Sequence, residues 1–117
     1  MFERLCHLDE IEDPGSRGFT VEIPGKEALS LFVVRKGDVL RAYRNSCPHT
    51  GAPLEWVPHQ FLDLGGAFIE CAVHGALFDL VEGRCLRGPC VGEVLAPLEL
   101  ERRGEALFLR LPDQSGF

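Results

Sequence analysis

Two short cysteine–histidine pairs constrain this chain more than anything else in it. Cys47-Pro48-His49-Thr50-Gly51 is answered by Cys71-Ala72-Val73-His74-Gly75, a C-x-H and a C-x-x-H with 21 residues between His49 and Cys71. Thiolate sulfur and imidazole nitrogen are ligands that transition metals select. Each pair fits on one tight loop, and Pro48, Gly51 and Gly75 are residues that turn such loops. Two loops that each offer one Cys and one His can close all four ligands around a single zinc. They can equally give two Cys to one iron and two His to another in a sulfide-bridged pair. Spacing alone does not choose between these.

The flanks of the two loops read as β structure. Residues 2–8 form a short apolar segment suited to an edge strand, and residues 9–18, acidic and carrying Pro14-Gly15 and Gly18, read as a loop. Phe19, Val21 and Ile23 alternate with Thr20 and Glu22, a half-buried strand stopped at Pro24-Gly25. Residues 29–35 are a continuous apolar run, expected as a more fully buried strand. Lys36-Gly37-Asp38 then turns the chain into residues 39–44, which predicts a β-hairpin. The first Cys-His loop follows over residues 45–54. In residues 55–66, Trp56, Phe61, Leu62 and Leu64 permit a helical turn or an irregular packed loop. Further strands are expected at 68–70, 77–81 and 84–86, at Leu98 and Leu100, and at Leu107, Leu109 and Leu111. Strands this short, punctuated every 8 to 12 residues, predict an all-β antiparallel sandwich or open barrel with the ligand loops at one end. All residues, 1–117, read as a single domain.

At this point the sequence resembles a known family. Cys47-Pro48-His49-Thr50-Gly51-Ala52-Pro53-Leu54 and Cys71-Ala72-Val73-His74-Gly75-Ala76-Leu77-Phe78-Asp79 are similar to the two cluster-binding loops of Rieske [2Fe-2S] proteins. Gly88-Pro89-Cys90, followed by Leu95, resembles the proline loop that covers the cluster in that family. The gap between the loops is longer than is usual, which marks residues 55–66 as an insertion. The resemblance implies one [2Fe-2S] cluster, with Cys47 and Cys71 on the inner iron and His49 and His74 on the outer one. Gly51, Gly75, Ala76, Phe78, Gly88 and Pro89 would shape and shield the site. It also implies a small Rieske-type ferredoxin, a one-electron carrier between redox protein partners with no catalytic residues of its own. Three other classes suit the same ligands: a small Rieske subunit of a reductase or oxygenase, a redox sensor, and a structural zinc-binding module.

Charge and the remaining residues narrow the setting. The formal net charge of -6 argues against nucleic acid, whose phosphates need a basic face. No run approaches the length of a membrane span, and no signal-like segment opens the chain, so a cytoplasmic protein without a membrane partner is expected. His7 and His59 lack a cysteine at ligand spacing and read as ordinary surface or half-buried histidines. Trp56 and Phe61 are expected to fill a core, and Ser46 to bond within its loop. Five cysteines leave Cys6, Cys85 and Cys90 beyond the ligand pair. High-potential members of the family join their loops by a disulfide, but Ala52 and Val73 stand where those cysteines would be. Cys85 and Cys90 could pair across the Gly88-Pro89 turn, although small buried thiols in a reducing cytosol are the expected state.

Overall fold

The structure, a computed structural model, describes residues 2–48, 50–55, 57–72 and 75–111. Among these residues there are ten strands: β1 (Phe2–His7), β2 (Gly15–Val21), β3 (Leu29–Lys36), β4 (Val39–Arg44), β5 (Ile69–Glu70), β6 (Leu77–Phe78), β7 (Cys85–Arg87), β8 (Pro97–Leu98), β9 (Leu100–Arg103) and β10 (Ala106–Arg110). They form three antiparallel sheets, ordered β1-β10-β9, β2-β3-β4-β8 and β5-β6-β7. The only helical element among the described residues is a 3-10 turn at Leu8–Glu10, capped by His7. The all-β expectation holds.

Strand β3 organises the packing. Side chains alternate across a strand, and β3 sends Leu29, Leu31 and Val33 into one buried cluster and Phe32 and Val34 into another. The first cluster joins β1 and β10 through Cys6, Leu107 and Leu109. The second holds Cys47, Cys71, Phe78, Cys85 and Cys90. A strand buried on both faces needs a continuous apolar run rather than alternation, and that is why residues 29–35 look as they do. The hairpin to β4 pairs Lys36 with Val39 across Gly37, whose φ is 58°.

Three expectations need correction. Residues 15–18 are strand, not loop, and pair with Arg35 through Phe32. Their glycines serve close packing: a Cβ on Gly15 would lie 2.4 Å from the Glu12 carbonyl oxygen, and one on Gly18 would lie 3.2 Å from the Phe61 ring. The strand expected over 77–81 stops at Phe78. Asp79 bends the chain there, its Oδ1 accepting from the Glu82 amide at 2.6 Å and its carbonyl from the Gly83 amide at 3.1 Å. The pair Leu98 and Leu100 belongs to two strands, because the chain leaves β4 for β10 at Glu99.

The turn after β6 is fixed to β4 by a buried tyrosine. Tyr43, 1% exposed, donates its hydroxyl to the Leu80 carbonyl at 2.8 Å. Burial, with Asp79 nearby, pushes its phenol up to about 12. Gly83, φ 71°, faces the ring so closely that a Cβ there would lie 2.6 Å from Tyr43 Cε1.

The segment 55–66 is an irregular packed loop rather than a helix among its described residues. Phe61, fully buried, stacks on Phe32 with ring centroids 4.3 Å apart and planes 7° from parallel. Ser16 Oγ donates to the His59 carbonyl at 2.8 Å and accepts from the Phe61 amide at 3.0 Å. His59, exposed with φ 68°, accepts the Gly18 amide on Nδ1 at 3.0 Å. The segment is thus sewn to β2. Trp56 lies outside the described residues.

Candidate metal centre

The two ligand loops close in the same way. In the first, the Gly51 amide donates to the Cys47 carbonyl at 2.7 Å, and the Cys47 amide to the Ala52 carbonyl at 2.8 Å. In the second, the Gly75 amide donates to the Cys71 carbonyl at 2.8 Å, and the Cys71 amide to the Ala76 carbonyl at 2.9 Å. Each turn therefore starts on a cysteine and ends on a glycine in the left-handed region, φ 79° for Gly51 and 67° for Gly75. Among the described residues nothing lies within 4 Å of a Cβ built on either glycine, and the positive φ already favours glycine there. The loops are joined by the Ala72 amide, which donates to the Leu54 carbonyl at 2.8 Å.

Cys47 and Cys71, 2% and 0% exposed, belong to one buried cluster with Leu54, Phe61, Ala76, Phe78 and Leu95. His49 and His74 lie outside the described residues, as does Val73. Among the described residues, no group of three or more His, Cys, Asp or Glu side chains is arranged to hold a metal. His7 is instead engaged with Asp9, Nδ1 to Oδ1 at 2.7 Å. Ser46 donates to the Gly51 carbonyl at 3.3 Å, a bond within the loop.

The third loop lies against the second. Gly88, φ 112°, approaches so closely that a Cβ would sit 2.9 Å from both Cα and Cβ of Ala76. Gly88 and Pro89 are exposed, while Cys90 and Leu95 turn inward. Cys90 Sγ lies 2.9 Å from Cys85 Sγ as a thiol contact, and burial, together with that hydrogen bond, pushes the Cys90 thiol up to about 12. A residue that the sequence did not single out clamps the first loop. Asn45 Oδ1 accepts from the Leu54 amide at 2.8 Å, and its Nδ2 donates to Glu55 at 2.9 Å. Only its place before the Cys-His pair hinted at this.

A small β fold whose two matched loops each start on a buried cysteine, with a third loop laid against the second, has the layout of a metal-loop domain. The chain belongs to the Rieske [2Fe-2S] domain family, whose sequence profile matches residues 2–100. Among solved structures it is similar to the ferredoxin of carbazole 1,9a-dioxygenase from Nocardioides aromaticivorans IC177. That match has 25% identity and a TM-score of 0.72 over 93% of this chain and 96% of that one. A complex of reduced oxygenase and oxidized ferredoxin in carbazole 1,9a-dioxygenase also matches, with 25% identity and a TM-score of 0.70 over 92% of this chain and 91% of that one. The Sphingomonas yanoikuyae B1 ferredoxin shares the fold, with 24% identity and a TM-score of 0.70 over 96% of this chain and all of that one. No curated protein matches the chain.

A [2Fe-2S] cluster fits what the structure places here. Two cysteines are presented on matched turns inside one apolar cluster, and a sulfide-bridged centre is tuned by such burial. The fold and cofactor make the chain an electron carrier.

Proposed function

We propose that Cys47 and Cys71 hold the inner iron as thiolates and that His49 and His74 hold the outer iron through neutral imidazole. The chain then passes single electrons as the ferredoxin component of an oxygenase-type system in the cytoplasm. The matched closure of the two loops on Cys47 and Cys71 carries this reading. The similar ferredoxin that is seen with an oxygenase supports the kind of partner. When bound, the cluster supplies the one-electron couple. The chain's own part is to orient the ligands, to wall the inner side with Ala76, Phe78 and Leu95, and to lay Gly88 and Pro89 over the site. The test is metal content: intact protein should carry about two irons and two acid-labile sulfides and give a low-average-g EPR signal on reduction. One zinc per colourless chain ends the proposal.

The same wall sets the potential. High-potential members of the family place a Ser hydroxyl and a Tyr hydroxyl against the cluster sulfurs, at positions that here are Ala76 and Phe78. Both residues are buried, 1% and 0% exposed. Reduction adds negative charge, so a donor aimed at sulfur favours the reduced state. A hydrogen bond to a charged group is worth about 1.5–3 kcal/mol, and about 1.4 kcal/mol is roughly 59 mV for one electron. Only part of each bond differs between redox states, so each missing hydroxyl should lower the midpoint by tens of millivolts and up to roughly 100. The midpoint is expected near or below about -50 mV, in the lower part of the roughly -150 to +300 mV Rieske range. Ala76→Ser and Phe78→Tyr should each raise it. Protein-film voltammetry decides, and a wild-type value above about +100 mV or unmoved variants would sink the argument.

A further inference from the structure

Cys85 opens β7 and Cys90 lies on the turn that follows, each 2% exposed. Their sulfurs are 2.9 Å apart, and a disulfide needs about 2.05 Å, so bonding asks for a closure of only about 0.9 Å. The backbone holds them facing one another. The Cys85 amide donates to the Glu93 carbonyl at 2.9 Å, and the Glu93 amide to the Cys90 carbonyl at 2.9 Å. Residues 86–89 and 91–94, which flank the two cysteines in sequence, are exposed. Neither thiol has a part in the ligand set proposed above.

We propose that Cys85 and Cys90 form a reversible dithiol–disulfide couple that fastens the covering loop when the surroundings turn oxidising, with a low-molecular-weight disulfide as oxidant. One thiolate attacks a sulfur of the oxidant, breaking its S–S bond and releasing one small thiol. The second protein thiolate displaces the other small thiol, forming the Cys85–Cys90 bond. The protein loses two electrons and two protons, and the oxidant takes them up to become two thiols. The closed ring is short, so it removes less chain entropy than a long one and the bond is readily reduced again. That suits a switch better than a permanent staple. Because Gly88 rests on Ala76, linking the residues on either side of it fixes how the third loop lies on the second ligand loop.

The test uses the iron-loaded protein, equilibrated without oxygen in buffers of oxidised and reduced glutathione, then unfolded, alkylated and digested with trypsin. Alkylatable cysteines should fall from all five in the chain to three in one transition. Cleavage after Arg87 separates Cys85 from Cys90 in sequence, so the two peptides should stay joined until a dithiol is added. The visible spectrum of the loaded protein should persist throughout. Cys85→Ser and Cys90→Ser should each abolish the joined peptides, and the wild-type map stands by itself if either variant does not fold. No joined peptide in fully oxidised glutathione overturns the proposal, as do persistent glutathione adducts on either residue. Bridging of Cys47 or Cys71 with loss of colour also overturns it. Metal content, which tests the cluster reading, is measured separately and does not enter this result.

Discussion

Replacing Cys47 or Cys71 with Ala should leave a colourless chain with essentially no bound iron. Each cysteine begins a turn closed by backbone hydrogen bonds, and both cysteines are buried in one cluster. Metal binding and the ordering of its loops are one equilibrium, so losing a ligand loses the affinity rather than a fraction of it. His49→Ala and His74→Ala should have the same result. His59→Ala should not, although His59 accepts the Gly18 amide; that bond is worth about 1 kcal/mol of stability and has no tie to colour. His7→Ala and Cys6→Ser should also keep the visible spectrum. Iron per chain and absorbance, measured side by side, settle the set. A bleached His59→Ala beside a coloured His49→Ala would mean that the ligands have been assigned wrongly.

Phe61→Ala should lower stability by about 3–5 kcal/mol, the usual cost of deleting a buried aromatic ring. The ring is fully buried and stacked on Phe32. It also fills the space left by Gly18, which a side chain at 18 would contest. With total stabilities of about 5–15 kcal/mol, this single change consumes a large share. Leu64→Ala, at a fully exposed position in the same segment, should change stability by less than about 0.5 kcal/mol. Chemical denaturation of the two variants makes the comparison. If Phe61→Ala costs less than about 1 kcal/mol, the segment 55–66 is an appendage and not part of the core.

The tight turns that begin at Cys47 and Cys71 were legible because Pro48, Gly51 and Gly75 mark them locally, and the loop glycines because their left-handed backbone depends on neighbours alone. The hairpin at Gly37 and the doubly buried strand at 29–35 were legible for the same reason. What escaped were features decided by distant partners. Gly15 and Gly18 read as turn residues, but they lie in a strand and are small because Glu12 and Phe61 press on them. Nothing local separates Leu98 from Leu100; the break at Glu99 exists because β4 and β10 each claim one side of it. Asp79 looked like a strand residue until its carboxylate was seen to close a turn. The nearness of Cys85 to Cys90 across the Gly88-Pro89 turn was, by contrast, open to the sequence, and residues 85–93 fold back to make it.

The approach of Gly83 to Tyr43 has a consequence for descent. Position 83 cannot drift while the tyrosine stays: a methyl group there collides with the ring, and its positive φ already disfavours any side chain. A smaller residue at 43 gives up the bond to Leu80 before anything at 83 has changed. Lineages that diverge from this chain should therefore keep the glycine wherever they keep the tyrosine, and should change the tyrosine first where both are lost.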